Sequence, residues 1–237
     1  MPDEADLEAF LVDGRARRVD RWKEFVRIPS VSAQPEHADD CRRAADWLAA
    51  DLAAAGLEHV AVEETGGHPV VYADWLHAGD APTVIAYGHY DVQPADPVEL
   101  WDTPPFEPVV RDDRMIGRGA EDNKSCVQMH VRAIEALLAT RGGLPVNIKL
   151  VFEGEEESGS PNLDAWLTAN RDRLVADVAV ISDTDFFEGN RPAICVGCAD
   201  WSDSRSMSAD RTGISIRVPT AAPSRIPSTS CAPSSRR

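Results

Sequence analysis

The sequence predicts an α/β fold in which a largely parallel central sheet is flanked by helices. Helix-like and strand-like segments alternate along the chain as far as DVAVISD, the pattern of a parallel sheet with crossover helices. The stretch VNIKLVF is apolar enough for a central strand. Four strand-like stretches run directly into loops that carry a histidine or carboxylates, and ligands in such sheets bind beyond the carboxyl ends of the strands.

Each element follows from its own signals. From Leu7, LEAFLVDGRARRVDRWKEFVRIPSVS spaces its apolar residues helically and reads as one helix ending before Pro29. ADDCRRAADWLAADLAAAG reads as a second helix closed by Gly56. HVAVEE, PVVYADW and PTVIAYG read as strands separated by turn residues, and another strand-like piece spans residues 109–116. NKSCVQMHVRAIEALLATRGG reads as a helix from near Asn123 to a glycine pair. VNIKLVF is then a buried strand, residues 162–170 a short helix and DVAVISD a last strand.

At 237 residues and 43% hydrophobic, the chain has ample material for a core. No run approaches the roughly 20 apolar residues needed to span a bilayer, and the start MPDEADLEAF is acidic, unlike a signal peptide. A cytoplasmic protein without a membrane partner is therefore expected. The net charge of −16 argues against nucleic acid, which requires basic patches. Five scattered cysteines imply no disulfide framework, and the pair Cys195 and Cys198 lacks the setting of a zinc ribbon or a redox site.

Two regions differ in character. Residues 1–196 carry the α/β pattern, whereas 197–237 are rich in serine, arginine and proline, with no leucine, no lysine and no period that would form a core face. Such a composition reads as a disordered or non-native tail.

The chemistry gathers at the four loops. VIAYGHYD supplies His89 and Asp91, GRGAEDNKS supplies Asp122, FEGEEESGS supplies Glu155, Glu156 and Glu157, and AVISDTD supplies Asp183 and Asp185. One imidazole with several carboxylates suits zinc or manganese better than magnesium or calcium. His89 and Asp91 are two apart at a strand end, so Asp91 can support the centre from behind the histidine. Taken singly, Asp122 is also explained as a helix N-cap, Asp183 as a turn cap and the glutamate run as a solvated acidic turn. Their convergence favours metal. Adjacent residues leaving a strand point in different directions, so one glutamate can bind metal while its neighbour acts as general base.

GHYDVQP, GRGAEDNK, FEGEEESGS and ISD, in this order, closely resemble the di-zinc metallopeptidases that include carnosinase, cytosolic dipeptidase, aminoacylase and succinyl-diaminopimelate desuccinylase, the dipeptidase and carnosinase branch most of all. The resemblance covers residues 1 to about 196. It implies a metal-dependent hydrolase that cleaves the amide bond of dipeptides or N-acyl amino acids. It implies two zinc ions, with manganese or cobalt as alternatives, held by His89, Asp122, Glu157 and Asp183, with Asp122 bridging. Glu156 matches the general base, Asp91 the supporting aspartate and Glu155 a variable position. The family is homodimeric through a lid domain that also brings a substrate-binding histidine in a DLHSG-like motif, and a last histidine ligand follows the lid. Neither is expected in this chain, so the alternative is an inactive, truncated product that keeps part of the metal site. Back-translated with permitted codons and read two bases on, residues 197–235 can yield a string containing DLHSG, which leads us to expect a frameshift near Val196.

Overall fold

The computed structural model describes residues 4–183; Asp185, Cys195, Cys198 and the 197–237 tail lie outside the described residues. Helix α1 (Glu4–Asp13) is followed by α2 (Arg15–Val26), so the single helix expected near the N-terminus is two. The break falls at Gly14, a poor helix former. Its missing side chain leaves room for the Arg18 guanidinium, 2.3 Å from where a Cβ would stand. Arg18 uses that room to donate to the carbonyls of Phe10 and Leu11, which the end of α1 leaves without helical partners.

Helix α3 (Ala38–Ala54) buries Cys41, Ala44, Ala45, Leu48 and Leu52 at three- and four-residue intervals and is closed by Gly56 at φ +95. Strands β1 (Glu58–Glu63), β2 (Val70–Trp75) and β3 (Thr83–His89) follow. The piece expected around 109–116 is a separate hairpin of β4 (Val109–Arg111) and β5 (Arg114–Ile116). Asp112 and Asp113, both at positive φ, form its two-residue turn. Helix α4 (Cys126–Arg141) starts later than the sequence suggests, because residues Ala120–Ser125 form a wide turn in which Asp122 leaves helical geometry (φ −95, ψ 103). Strand β6 (Asn147–Glu153), helix α5 (Leu163–Ala169) and strand β7 (Val178–Ile181) complete the described residues.

The main sheet has the order β1-β2-β6-β3-β7. Pairing is parallel between β6 and β3 and between β3 and β7, and antiparallel between β1 and β2 and between β2 and β6. The parallel part is the part that matters for function. In register, His89 lies opposite Glu153 and Tyr87 opposite Ile181, so all three strands release their loops at the same edge.

The principal core lies between this sheet and helices α3 and α4, with Leu48, Leu52, Val71, Val131, Leu150 and Phe152 at or near zero exposure. Each such side chain contributes about 1.5–3 kcal/mol by leaving water. A smaller cluster on the opposite face packs Trp166 of α5 on Val70, Tyr72 and Val151. Buried Asp51 of α3 binds Arg21 of α2 at 2.9 Å and Gln128 of α4 at 2.8 Å, and also pairs with Arg132, pinning the three helices together.

Candidate metal centre

His89 closes β3 between the two strands that pair with it in parallel, and it is fully buried. On one side of the ring, Nδ1 lies 3.1 Å from the Asp91 carbonyl oxygen and 3.3 Å from Asp91 Oδ1. On the other side, Nε2 is buried without a well-directed hydrogen bond. Three carboxylates surround it: Asp122 Oδ1 at 3.1 Å, Glu156 Oε2 at 3.8 Å and Asp183 Oδ1 at 3.8 Å. Two sets of ligand atoms are close enough to share an ion, His89 with Asp122 and Asp183, and His89 with Glu156 and Glu157. An orphaned imidazole nitrogen within a ring of carboxylate oxygens fits a divalent transition metal by both donor type and geometry.

The electrostatics agree. Burial by itself lowers the pKa of His89, yet Asp122, Asp91 and Asp183 outweigh it and push the value up to about 11. Burial and the neighbouring Asp183 and Glu157 raise Glu156, against the opposing pull of His89. Burial raises Glu157 too, opposed by its hydrogen bond from Gln93 and reinforced by Asp122. Asp122 is held low, chiefly by His89. The cluster therefore carries an excess of negative charge that a cation would neutralise.

Each loop is shaped by identifiable contacts. Gly88 permits a close approach: a Cβ there would come within 2.8 Å of Asn123 Oδ1 and 3.1 Å of Val127 Cγ2. The close approach brings the Asp122 turn against β3, with a cis peptide between Asp122 and Asn123. The Asn123 amide then donates to Ser182 O at 2.8 Å and to Asp183 Oδ1 at 2.6 Å, joining the turn to the end of β7. His130 Nε2 lies 2.9 Å from Ser182 Oγ and steadies the same end. Lys124 is fully buried and donates to the carbonyls of Phe25 and Ile28 at 3.0 and 2.7 Å, tying the turn to the end of α2.

The glutamate run divides three ways. Glu155, expected at a variable position, belongs to neither ligand set among the described residues. It is buried and accepts the Asn162 amide at 2.9 and 3.2 Å. Glu156 and Glu157 begin a short 3-10 turn whose backbone N–H groups donate to Asp91 at 3.2 and 3.1 Å. Gln93 donates to Glu157 Oε2 at 2.7 Å and orients that carboxylate. Asp91 thus faces His89, as expected, and also anchors the glutamate turn. Of the residues singled out from the sequence, His89, Asp91, Asp122, Glu156, Glu157 and Asp183 come together. Asn123, Lys124, His130 and Gln93 were not foreseen, although Asn123, Lys124 and Gln93 lie inside the motif strings themselves.

Comparison with known proteins agrees with this geometry. The sequence profile described as Peptidase family M20/M25/M40 matches residues 85–232, from β3 to beyond the described residues. Cysteinylglycine-S-conjugate dipeptidase of Corynebacterium striatum is 36% identical over 174 residues, covering 73% of this chain and 38% of the relative. Beta-Ala-His dipeptidase of Homo sapiens is 40% identical over 131 residues, covering 54% of this chain and 26% of the relative. Among solved structures, human carnosine dipeptidase 1 superposes with a TM-score of 0.72 at 33% identity, over 77% of this chain and 41% of that one. The dipeptidase Dug1p of Saccharomyces cerevisiae gives 0.72 at 26% identity, over 78% of this chain and 42% of that one. The chain therefore spans well under half the length of these relatives. With its sheet, its four loops and a profile match over more than half its length, the chain belongs to peptidase family M20/M25/M40.

Proposed function

We propose that this cluster is the hydrolytic centre of a metal-dependent peptidase acting on dipeptides, with N-acyl amino acids as a second substrate class, in the cytoplasm. The observation that carries the reading is His89 Nε2, buried without a well-directed hydrogen bond within a ring of carboxylates. His89, Asp122, Glu157 and Asp183 would hold two zinc ions, or manganese or cobalt, with Asp122 shared between them. When bound, such ions polarise a carbonyl and acidify water. Glu156 Oε2 is the proton carrier: it takes a proton from the attacking water and returns it to the departing amine nitrogen.

A second reading, metal binding without turnover, draws on the openness of the cluster, where the Asp122 side chain is 66% exposed. Catalysis of this kind depends on excluding water around the reacting groups. Metal analysis combined with a dipeptide-hydrolysis assay separates the two. Bound metal with turnover that falls by about 10²–10⁴-fold in Glu156→Gln, the metal content unchanged, supports hydrolysis. Bound metal without turnover supports the second reading, and a folded protein without metal sinks both.

A further inference from the structure

The segment between α2 and α3 is far in sequence from every ligand-bearing loop and lies outside the stretch matched by the family profile, yet it backs directly onto the cluster. Ser30 Oγ donates to the Tyr90 carbonyl at 2.7 Å, and the Val92 N–H donates to the Ser30 carbonyl at 2.9 Å. These bonds lay the segment alongside residues 90–92. They bring Ser32 Oγ to 2.5 Å from Asp91 Oδ2.

Asp91 is fully buried, and its two oxygens are fully engaged. Oδ2 accepts the Ser32 hydroxyl and the Glu157 N–H at 3.1 Å. Oδ1 accepts the Glu156 N–H at 3.2 Å and lies 3.3 Å from His89 Nδ1. One carboxylate therefore sets the direction of the His89 ring and the position of the backbone that carries Glu156 and Glu157. The terminal torsion of an aspartate is intrinsically broad, so its rotation is fixed by its hydrogen bonds. Apart from the His89 ring itself, Ser32 is the one side chain among the described residues that engages this carboxylate, and it comes from a segment that bears no ligand.

We propose that Ser32 is a positioning residue for the metal centre. Its hydroxyl fixes the rotation of Asp91 and, through Asp91, the aim of His89 and Glu157 at the ion. The proposal rests on the reading of the cluster as a metal site. Asp91 is one step removed from the ligand His89, where loss of a partner typically alters affinity by about 10–100-fold, and Ser32, a step further out, is expected at the lower end of that range.

The test uses the full 237-residue chain and Co2+ as the probe, followed by calorimetry and by the visible absorption of the bound ion. Ser32→Ala is expected to weaken cobalt binding by about tenfold or more and to alter its absorption band. Ser32→Thr, which keeps the hydroxyl, is expected to restore both. Wild-type affinity and spectrum in Ser32→Ala would overturn the role of Ser32 and leave the metal site standing. Equal losses in folded Ser32→Thr and Ser32→Ala would assign the effect to packing and overturn it as well. A wild-type chain that binds no cobalt overturns the metal-site reading and the Ser32 role with it. Should Ser32→Ala fail to fold, Ser32→Cys, a weaker donor of similar size, decides: reduced affinity supports the role and unchanged affinity overturns it.

Discussion

Lys124 shows how much of the site's support is invisible in residue type alone. Its ammonium is fully buried, held by the Phe25 and Ile28 carbonyls and lying 4.9 Å from the centre of the Phe25 ring. Burial lowers the Lys124 pKa to about 7, while the carbonyls at the end of α2 favour the charged form. Replacing the lysine with methionine keeps most of the volume but removes both ammonium hydrogen bonds, leaving the Phe25 carbonyl only the Ile28 N–H at 3.2 Å and the Ile28 carbonyl only the Ser30 N–H at 2.9 Å. Lys124→Met is therefore expected to lose about 1–3 kcal/mol in urea unfolding through the two lost hydrogen bonds; an unchanged midpoint would show that the backbone donors alone satisfy these carbonyls. His89, Asp91, Glu156, Glu157 and Asp183 were legible because loops bearing an imidazole or carboxylates after β3, β6 and β7 are expected to share a ligand at that sheet edge, and Asp122 joins them from the turn after the separate β4–β5 hairpin. Lys124 and His130 were not, because a lysine or histidine on a helical pattern is ordinarily a surface residue, and only packing reveals that these face inward. The contact Glu155 makes with Asn162 was hidden for a related reason. A run of three glutamates says nothing about which of them turns toward Asn162.

Elements were read more accurately in kind than in boundary. Every strand of the main sheet was recognisable from its apolar stretch, and α3 from its alanine and leucine period. The errors came where a local device overrode the pattern: Arg18 folding over Gly14 splits the first helix, and the Asp122 turn delays α4. The mixed pairing of the sheet was also hidden, since an apolar stretch does not disclose the direction of its neighbour. Helix α5 offers a test at this scale. Arg173, just beyond it, grips Glu63 of β1 at 2.7 and 2.8 Å, and Trp166 Nε1 donates to the same carboxylate at 2.9 Å. Arg173 holds the Glu63 pKa below its ordinary value, with burial opposing. A depressed carboxylate contributes stability above its unfolded pKa, near 4.3, and loses that contribution as pH falls through its folded pKa. Glu63→Gln is thus expected to be less stable than wild type by about 1–2 kcal/mol at neutral pH, with the gap closing below about pH 4. A gap that persists in acid would mean that packing, and not the charge, holds α5 to the sheet.

For the whole molecule, the distribution of charge is the main consideration. The chain carries a net −16, and the carboxylates at the open ends of β6, β3 and β7 concentrate part of that excess in one place. Self-repulsion there destabilises the folded chain until a cation enters, so metal binding and folding should be coupled. We retain the proposal that residues 197–237 are read out of frame, although the family profile runs to residue 232. Sequencing the coding DNA decides it: if no single-frame change near Val196 restores a string containing DLHSG, the proposal is wrong. Titrating Zn2+ into the folded chain while recording heat of binding and melting temperature tests the metal centre directly. Wild type should bind the ion and gain about 2.7 kcal/mol of stability at a hundredfold excess over the dissociation constant, and Asp122→Asn should lose most of both. A folded wild-type chain that binds no zinc, or an Asp122→Asn variant that binds it as wild type does, would contradict the assignment of this cluster as a metal centre.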